Sequence, residues 1–484
     1  MRVLAIDQGT TNTKALLIDD QGAVLARASV PVATNYPFPG WAEQSADEIW
    51  ASVRSAIGRI VDQVGRGAID AIAIANQRET LVIWDSVTSQ PVCPVILWQC
   101  RRTADNCAAL IAAGHDPTVS AATGLGINPL FPASKLAWVM HNVPAAAGLH
   151  RRGRLRASTV DAWLLWNLTA GASFATDHSN ASRTQLFDTE MLAFSQPLAG
   201  LFDAPIDCLP MPMPSDSHFG LTAAEACDVP SGVPIRAMMG DSHAALYGHG
   251  MRTPGTVKAT YGTGSSLMAL TPGRRASAHG LSGTIAWTDR QGTAYALEGN
   301  ITVSAQAAAF IAQLLGVGDA AALSELAQTV PDTGGVTFVP ALAGLGAPHW
   351  DDAARGTLGG MTHATRPAHI ARATFEAIAQ QIADVLDAME ADIGEVPGVL
   401  SADGGASGNP FLMQLQADLT NCAVKTTAFE EIGALGVAGM AFASMGVRLA
   451  PPSSSTQYMP EMGSSARTAL RAAWANAVRR AKRI

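Results

Sequence analysis

Lysine is scarce in this chain: there are five in 484 residues, and none follows a glycine. That excludes a Gly-x-x-x-x-Gly-Lys-Ser/Thr phosphate loop, which sets a lysine ammonium against the phosphates. No Gly-x-Gly-x-x-Gly follows an apolar strand pattern and no His-Glu-x-x-His occurs, so neither a dinucleotide fingerprint nor that zinc-binding helix is present. Cysteine is also sparse. Cys93, Cys100, Cys107, Cys208, Cys227 and Cys422 form no Cys-x-x-Cys pair, and the three that recur every seven residues have no histidine at ligand spacing. They read as free thiols of a reducing compartment. The start, Met1 to Asp7, lacks a signal-peptide layout, and the longest apolar stretches, such as 307–317, are too short and broken to span a bilayer. The cytoplasm is the expected location. Charged residues make up only 15% and the net charge is −8, which argues against nucleic acid as the main partner.

What is present is a globular composition, 48% apolar, on a chain long enough for two or three domains. Val3 to Ile6, Lys14 to Ile18 and Val24 to Val30 are apolar runs separated by Asp7–Thr13 and by Asp20-Gln21-Gly22. This predicts a β-meander with a polar first turn. Ser45 and Glu48 form a capping box for a helix from Ala46, with Ile49, Val53, Ile57, Ile60 and Val64 on one face. A buried strand, Ala71 to Ala75, then ends at Asn76-Gln77-Arg78-Glu79.

The same grammar returns later. Thr256 to Tyr261 and Leu267 to Leu270 flank a turn, Gly262 to Ser266; Thr293 to Leu297 follows as a strand, with a helix from about Thr302. A long helix carries Ile370, Thr374, Ile378, Ile382, Val385 and Met389 on one face, and a terminal helix is expected over Ala466–Lys482. This is the pattern of an internal duplication, with two halves facing each other across a cleft. The expected domains are 1–233 and 234–448, joined near Pro230–Pro234, with a C-terminal segment 449–484.

Two turns carry the phosphate chemistry. Gly9, Thr10 and Thr11 offer N–H groups, hydroxyls and close backbone approach, and Asp7 at a strand end suits Mg²⁺, directly or through water. The Thr260–Ser266 turn has the same composition. Each turn alone is equally well an ordinary polar hairpin; two on opposing domains would clamp a nucleotide.

Along nearly its whole length the chain resembles the FGGY family of carbohydrate kinases, and within it the glycerol kinase branch. The resemblance rests on Asp7–Thr11, Gly40–Gln44, Asn76–Thr80, Trp98-Gln99 with Arg101–Thr103, Lys135–Trp138, Thr176–His178, Asn180–Thr184, Gly240-Asp241, Tyr261–Gly264, Gly344–Pro348, Gly356–Glu376 and Asp403–Ala406 followed by Asn409. It implies an α/β fold of two domains of the actin/hexokinase-like (ribonuclease H-like) duplicated type with a central cleft. It implies ATP as co-substrate, Mg²⁺, and a small sugar or polyol as acceptor, with no nucleic acid or membrane partner and a homodimer as the assembly to test.

The resemblance also implies roles. Asp241 matches the catalytic base. Arg78, Glu79 and Trp98 match the acceptor site, with Asp241, Leu130, Ser242 and Ser266 also lining it. Thr10, Thr11, Asn12, Lys14, Gly262, Thr263, Gly405 and Asn409 match the ATP side, and Asp7 the metal. Asn409 before Pro410 is equally a helix N-cap. Leu130, Ser242 and Ser266 depart from the branch pattern of tyrosine, glutamine and phenylalanine, and Cys100 stands where an aspartate is expected. Two of the three pocket changes add room, which suits a four- or five-carbon polyol or ketose better than glycerol. Gly240-Asp241-Ser242-His243 also resembles the nucleophile stretch of small esterases, although His243 is badly placed there as a base for Ser242. A glycerol kinase proper, a xylulokinase-like enzyme, a non-catalytic sugar- or nucleotide-binding relative, and an ATPase of this fold that moves protein partners are the other readings. Asp7, Arg78, Glu79 and Asp241 standing together speak against the non-catalytic one.

Overall fold

In the computed structural model, which describes residues 1–224, 226–394, 398–427, 429–450 and 454–482, two sheets share one topology. In the first, β1 (Arg2–Gln8), β2 (Asn12–Asp19) and β3 (Val24–Pro31) form the antiparallel meander. Next to β1 runs β4 (Ala71–Asn76), parallel to it; β5 (Gly220–Leu221) is the antiparallel edge, and β6 (Pro234–Gly240) lies parallel to β4. The order is β3-β2-β1-β4-β6-β5.

The second sheet repeats this order. It contains β7 (Thr256–Tyr261), β8 (Ser265–Thr271), β9 (Ser282–Asp289) and β10 (Gly292–Ile301), then β11 (Val399–Asp403), β12 (Ala423–Thr427) and β13 (Ser454–Tyr458). Its order, β9-β10-β8-β7-β11-β12-β13, matches the first in its central strands, with β9 added outside β10; at the far edge the chain order is reversed, since β5 precedes β6 whereas β13 follows β12. The duplication read from two Gly/Thr turns is therefore a duplication of whole sheets.

Three expectations shift. The Pro230–Pro234 stretch does not join domains. It leads from β5 into β6, and β6 buries Ile235, Ala237, Met238 and Met239 within the first sheet. The join lies beyond residue 240, where α-helix 241–248 leaves that sheet. Ser265 and Ser266 belong to β8, because ladder pairing with Tyr261 and Thr260 shortens the turn to Gly262-Thr263-Gly264. The helix expected from Thr302 begins at Gln306.

Successive strand residues face opposite ways, and each face has its own core. Leu4, Ile6, Ile72 and Ile74 pack against α1 (Ala46–Val64), whose Ser45 cap accepts from the Glu48 N–H and whose Ile49, Val53, Ile57 and Ile60 are fully buried. Val3, Ala5, Ala71, Ala73 and Ala75 face the other way, onto α2 (Asp241–Gly248) and α3 (Ile432–Ser444). Met268 and Leu270 of the second sheet join that same core. Two crossing helices therefore lie between the sheets. They approach closely because Gly436 and Gly248 lack side chains: a Cβ on Gly436 would overlap the Ala244 carbonyl oxygen. The other face of the second sheet packs on the long helix Pro367–Ile393, and the terminal helix spans Ser464–Ala481. Among the described residues no single helix is long and apolar enough to cross a membrane, and all six cysteines are unpaired.

Candidate active site

The C-terminal ends of β1, β4 and β6 deliver Asp7, Arg78 and Asp241 to one cleft, the favoured ligand position of open α/β sheets. Asp241 opens α2, directly after its Gly240 cap, where the helix dipole favours a carboxylate. Its Oδ1 accepts hydrogen bonds from its neighbour Ser242 N at 2.6 Å and from Arg78 Nε at 3.0 Å. The Asp241 side chain remains 41% exposed, while Arg78 is 7% exposed.

Below these two lies Glu298, from β10 of the second sheet. Arg78 Nη1 and Nη2 donate to Glu298 Oε2 and Oε1 at 2.9 and 2.7 Å. Arg183 reaches the same carboxylate at 2.8 Å and donates its Nε–H to Glu79 Oε1 at 2.6 Å. Burial pushes the Glu298 carboxyl upward, but Arg78 and Arg183 outweigh it and hold it well below the ordinary carboxylate range. Burial likewise opposes charge on Arg78, and Glu298, Glu79 and Asp241 overcome it. Neither Glu298 nor Arg183 stood among the sequence-derived site residues. The available signal was a lone acid directly after the apolar run Ala294–Leu297, and an arginine within the Asn180–Thr184 motif.

Glu79 has a left-handed backbone, φ 59°. Its carbonyl accepts from Lys135 Nζ at 3.0 Å, and the same ammonium reaches the Leu130 carbonyl at 2.6 Å. Full burial lowers Lys135 to about 7 despite the Glu79 charge nearby. Trp98 is pinned at both ends: Thr80 Oγ1 accepts from its backbone N–H at 3.2 Å, and Thr10 Oγ1 accepts from its indole N–H at 2.9 Å. The expected acceptor wall is thus tied to the first turn expected to meet phosphate. Ser242 Oγ donates to Ser266 Oγ at 3.4 Å, and Ser266 Oγ to Glu298 Oε1 at 3.0 Å.

The hairpin turn of Gly9, Thr10 and Thr11 links β1 to β2, closed by Gly9 N–H to Asn12 O at 2.9 Å, with Asn12 and Lys14 on β2 and Lys14 directly across from Asp7. Asp7 rises to about 6 through its depth in the cleft and then through the Asp241 charge. The Asp7 carboxylate and the Asp241 carbonyl both border Gly433. The second turn, Gly262-Thr263-Gly264, has the Thr263 side chain exposed, and the Thr263 carbonyl accepts from Ser304 N–H.

Gly405 and Asn409 stand apart from this floor. Gly405 is exposed in a short 3₁₀ turn, 405–408. Gly404 beside it takes φ 86° with its α-carbon against Tyr261, where a side chain would collide. Asn409 caps the next helix by accepting from Phe411 and Leu412 N–H, and its amide donates to Ser324 Oγ at 3.0 Å, so its capping role is the one seen.

The esterase reading has no geometry. His243 Nε2 pairs with Thr284 Oγ1 at 3.0 Å in a buried site, and the Ser242 hydroxyl turns to Ser266.

Family models describe the same two halves. The model of the FGGY family of carbohydrate kinases, N-terminal domain, matches residues 2–248, and that of the C-terminal domain matches 257–445. The chain is 45% identical over 442 residues to an apulose kinase of Pectobacterium atrosepticum, covering 90% of this chain and 88% of the relative. It is 42% identical to a glycerol kinase of Symbiobacterium thermophilum, covering 99% and 98%. In structure it is similar to Plasmodium falciparum glycerol kinase with ADP, with a TM-score of 0.92, 29% identity, and coverage of 99% and 98%.

Proposed function

This chain belongs to the FGGY family of carbohydrate kinases, and we propose that it transfers the terminal phosphoryl group of ATP to a hydroxyl of a four- or five-carbon polyol or ketose, with Asp241 as general base. The observation that carries this reading is the Arg78–Asp241 pair at the cleft floor. A half-exposed carboxylate whose hydrogen bonds among the described residues fall on Oδ1 has its other oxygen for the proton of an acceptor hydroxyl.

Phosphoryl transfer asks the protein for positioning and charge neutralisation more than for covalent chemistry. Arg78 and Glu79 would bracket neighbouring hydroxyls, one donating and one accepting. Trp98 would wall the carbon chain. Thr10, Thr11 and Asn12 from one domain, and Gly262 and Thr263 from the other, would grip phosphates with hydroxyl and N–H groups, while Lys14 supplies charge. Gly405 and Asn409 would border the adenine.

Asp7 suits Mg²⁺. Burial and the Asp241 charge raise its carboxyl to about 6, so its charge is costly and a hard cation there relieves that cost. An ion there would be held by one or two carboxylates, water and phosphate oxygens, the usual Mg²⁺ arrangement beside a nucleotide. Bound there, Mg²⁺ neutralises phosphate charge. We place the protein in the cytoplasm, with a homodimer as the assembly to test.

The relatives carry the names of two acceptors, apulose and glycerol, so the pocket must decide. Leu130, Ser242 and Ser266 favour the longer one, since the two serines add room and leave hydroxyls behind. The test is ADP release over a panel of polyols and ketoses, with product identified by ³¹P NMR. Acceptor-dependent ADP release with a phosphate ester formed supports the reading; ADP release indifferent to every acceptor sinks it.

A further inference from the structure

We propose that Glu298 is a positioning residue for phosphoryl transfer, reaching from the second sheet to clamp Arg78 so that only the Nε–H of Arg78 meets the base, with Arg183 as its counter-ion. This rests on the reading of Asp241 as general base.

A guanidinium is planar and rigid, so gripping one edge fixes the direction of the other. Glu298 takes the Nη1–Nη2 edge of Arg78 with both oxygens. On the side edge the observed bond to Asp241 comes from Nε, and it falls on Oδ1 together with the one from Ser242 N. Asp241 Oδ2 stays available to an acceptor hydroxyl. Without Glu298 the guanidinium loses the grip that sets its plane. Its Nε–Nη2 edge would then be free to turn square to Asp241 and form a two-pronged pair on both carboxylate oxygens.

The cost of this arrangement argues for a purpose. Glu298 is fully buried, and a buried ion pair is often no more stabilising than apolar residues of the same size. The clamp also spans the two halves of the molecule. Glu298 lies on β10 of the second sheet, whereas Arg78 follows β4 of the first and Arg183 follows the short helix His178–Ala181 beside it. Ser266, one of the pocket-widening serines, donates to the same carboxylate. The acceptor pocket is therefore built from both sheets.

Two variants test this: Glu298→Gln, which keeps the shape, and Glu298→Met with Arg183→Met, which removes Glu298 together with one of its two arginine partners. Rates are counted per ADP-binding site, so that unfolded protein does not enter. The expected result is a kcat loss of about a hundredfold in both, the scale of a misplaced reacting group, with KM for ATP nearly unchanged. Glu298→Asp, which keeps the charge on a shorter arm, should recover part of the loss. A double variant with near-parental kcat and acceptor KM overturns the proposal. A parent protein that phosphorylates no acceptor would instead overturn the kinase reading beneath it.

Discussion

Trp98 donates its indole N–H to Thr10 Oγ1 at 2.9 Å, so the wall expected to face the acceptor and the turn expected to face the phosphates are one hydrogen-bonded unit. Removing the Thr10 hydroxyl breaks that link and leaves the ring in place; it also removes the bond from Thr10 Oγ1 to Gln77 Oε1. Thr10→Val should weaken both substrates at once, raising KM for ATP and for the acceptor by a few-fold each, in line with about 1 kcal/mol per lost hydrogen bond. Initial-rate kinetics with each substrate varied will show it. An effect on ATP alone would mean that the bond carries nothing to the acceptor side.

Asp7→Asn should separate stability from activity. The carboxyl lies at about 6 against an ordinary 3.8. Between those values the fold keeps a proton that the unfolded chain has released, so the stability contributed by Asp7 falls as pH rises through that window and is a constant penalty above it. Removing the charge should therefore raise stability at pH 7, in metal-free and nucleotide-free protein, by on the order of 1–3 kcal/mol. The gain should fade towards pH 4, and phosphorylation should collapse in the same variant. Thermal melts in chelator at two pH values, with a parallel assay, check both halves.

Lys135 should show the opposite pH sense. Its folded value near 7 lies below the ordinary 10.5, so between those values the unfolded chain binds the extra proton and stability rises with pH. Lys135→Met should abolish this part of the rise. It should also raise the acceptor KM, because the strained Glu79 backbone loses its donor. Equal slopes of stability against pH in parent and variant would contradict the assignment.

Much of this was legible beforehand. The meander, the Ser45 cap and the α1 face follow from local alternation and spacing. Even the second sheet announced itself through its Gly/Thr turn. What was not legible is what distance in sequence hides. The Pro230–Pro234 stretch looks like a linker because its partner strand, β4, lies far upstream. Ser266 looks like a turn residue until the ladder with Thr260 is known. Glu298 makes its decisive contact with a residue 220 positions away, and no local pattern reports that. Arg183 was visible only as part of a family motif, without a partner.

The pocket departures give a specificity test. Leu130→Tyr, Ser242→Gln and Ser266→Phe together should move preference towards glycerol by about one to two powers of ten in kcat/KM relative to a five-carbon acceptor, if each site gives on the order of 1 kcal/mol. Ser266→Phe also removes a hydrogen bond to Glu298, so total activity should fall while the ratio shifts. A parent protein that already prefers glycerol would overturn the reading of these three positions and leave the kinase assignment standing.

The most direct measurement is on Asp241→Asn. The amide keeps the size and the seat at the start of α2 but cannot accept the acceptor's proton. With the best acceptor from the panel, the phosphorylation rate should fall by roughly a hundredfold or more, while ATP affinity measured by calorimetry and the melting temperature stay close to the parent. A variant that binds ATP and phosphorylates the acceptor at nearly the parental rate would contradict the account at its centre.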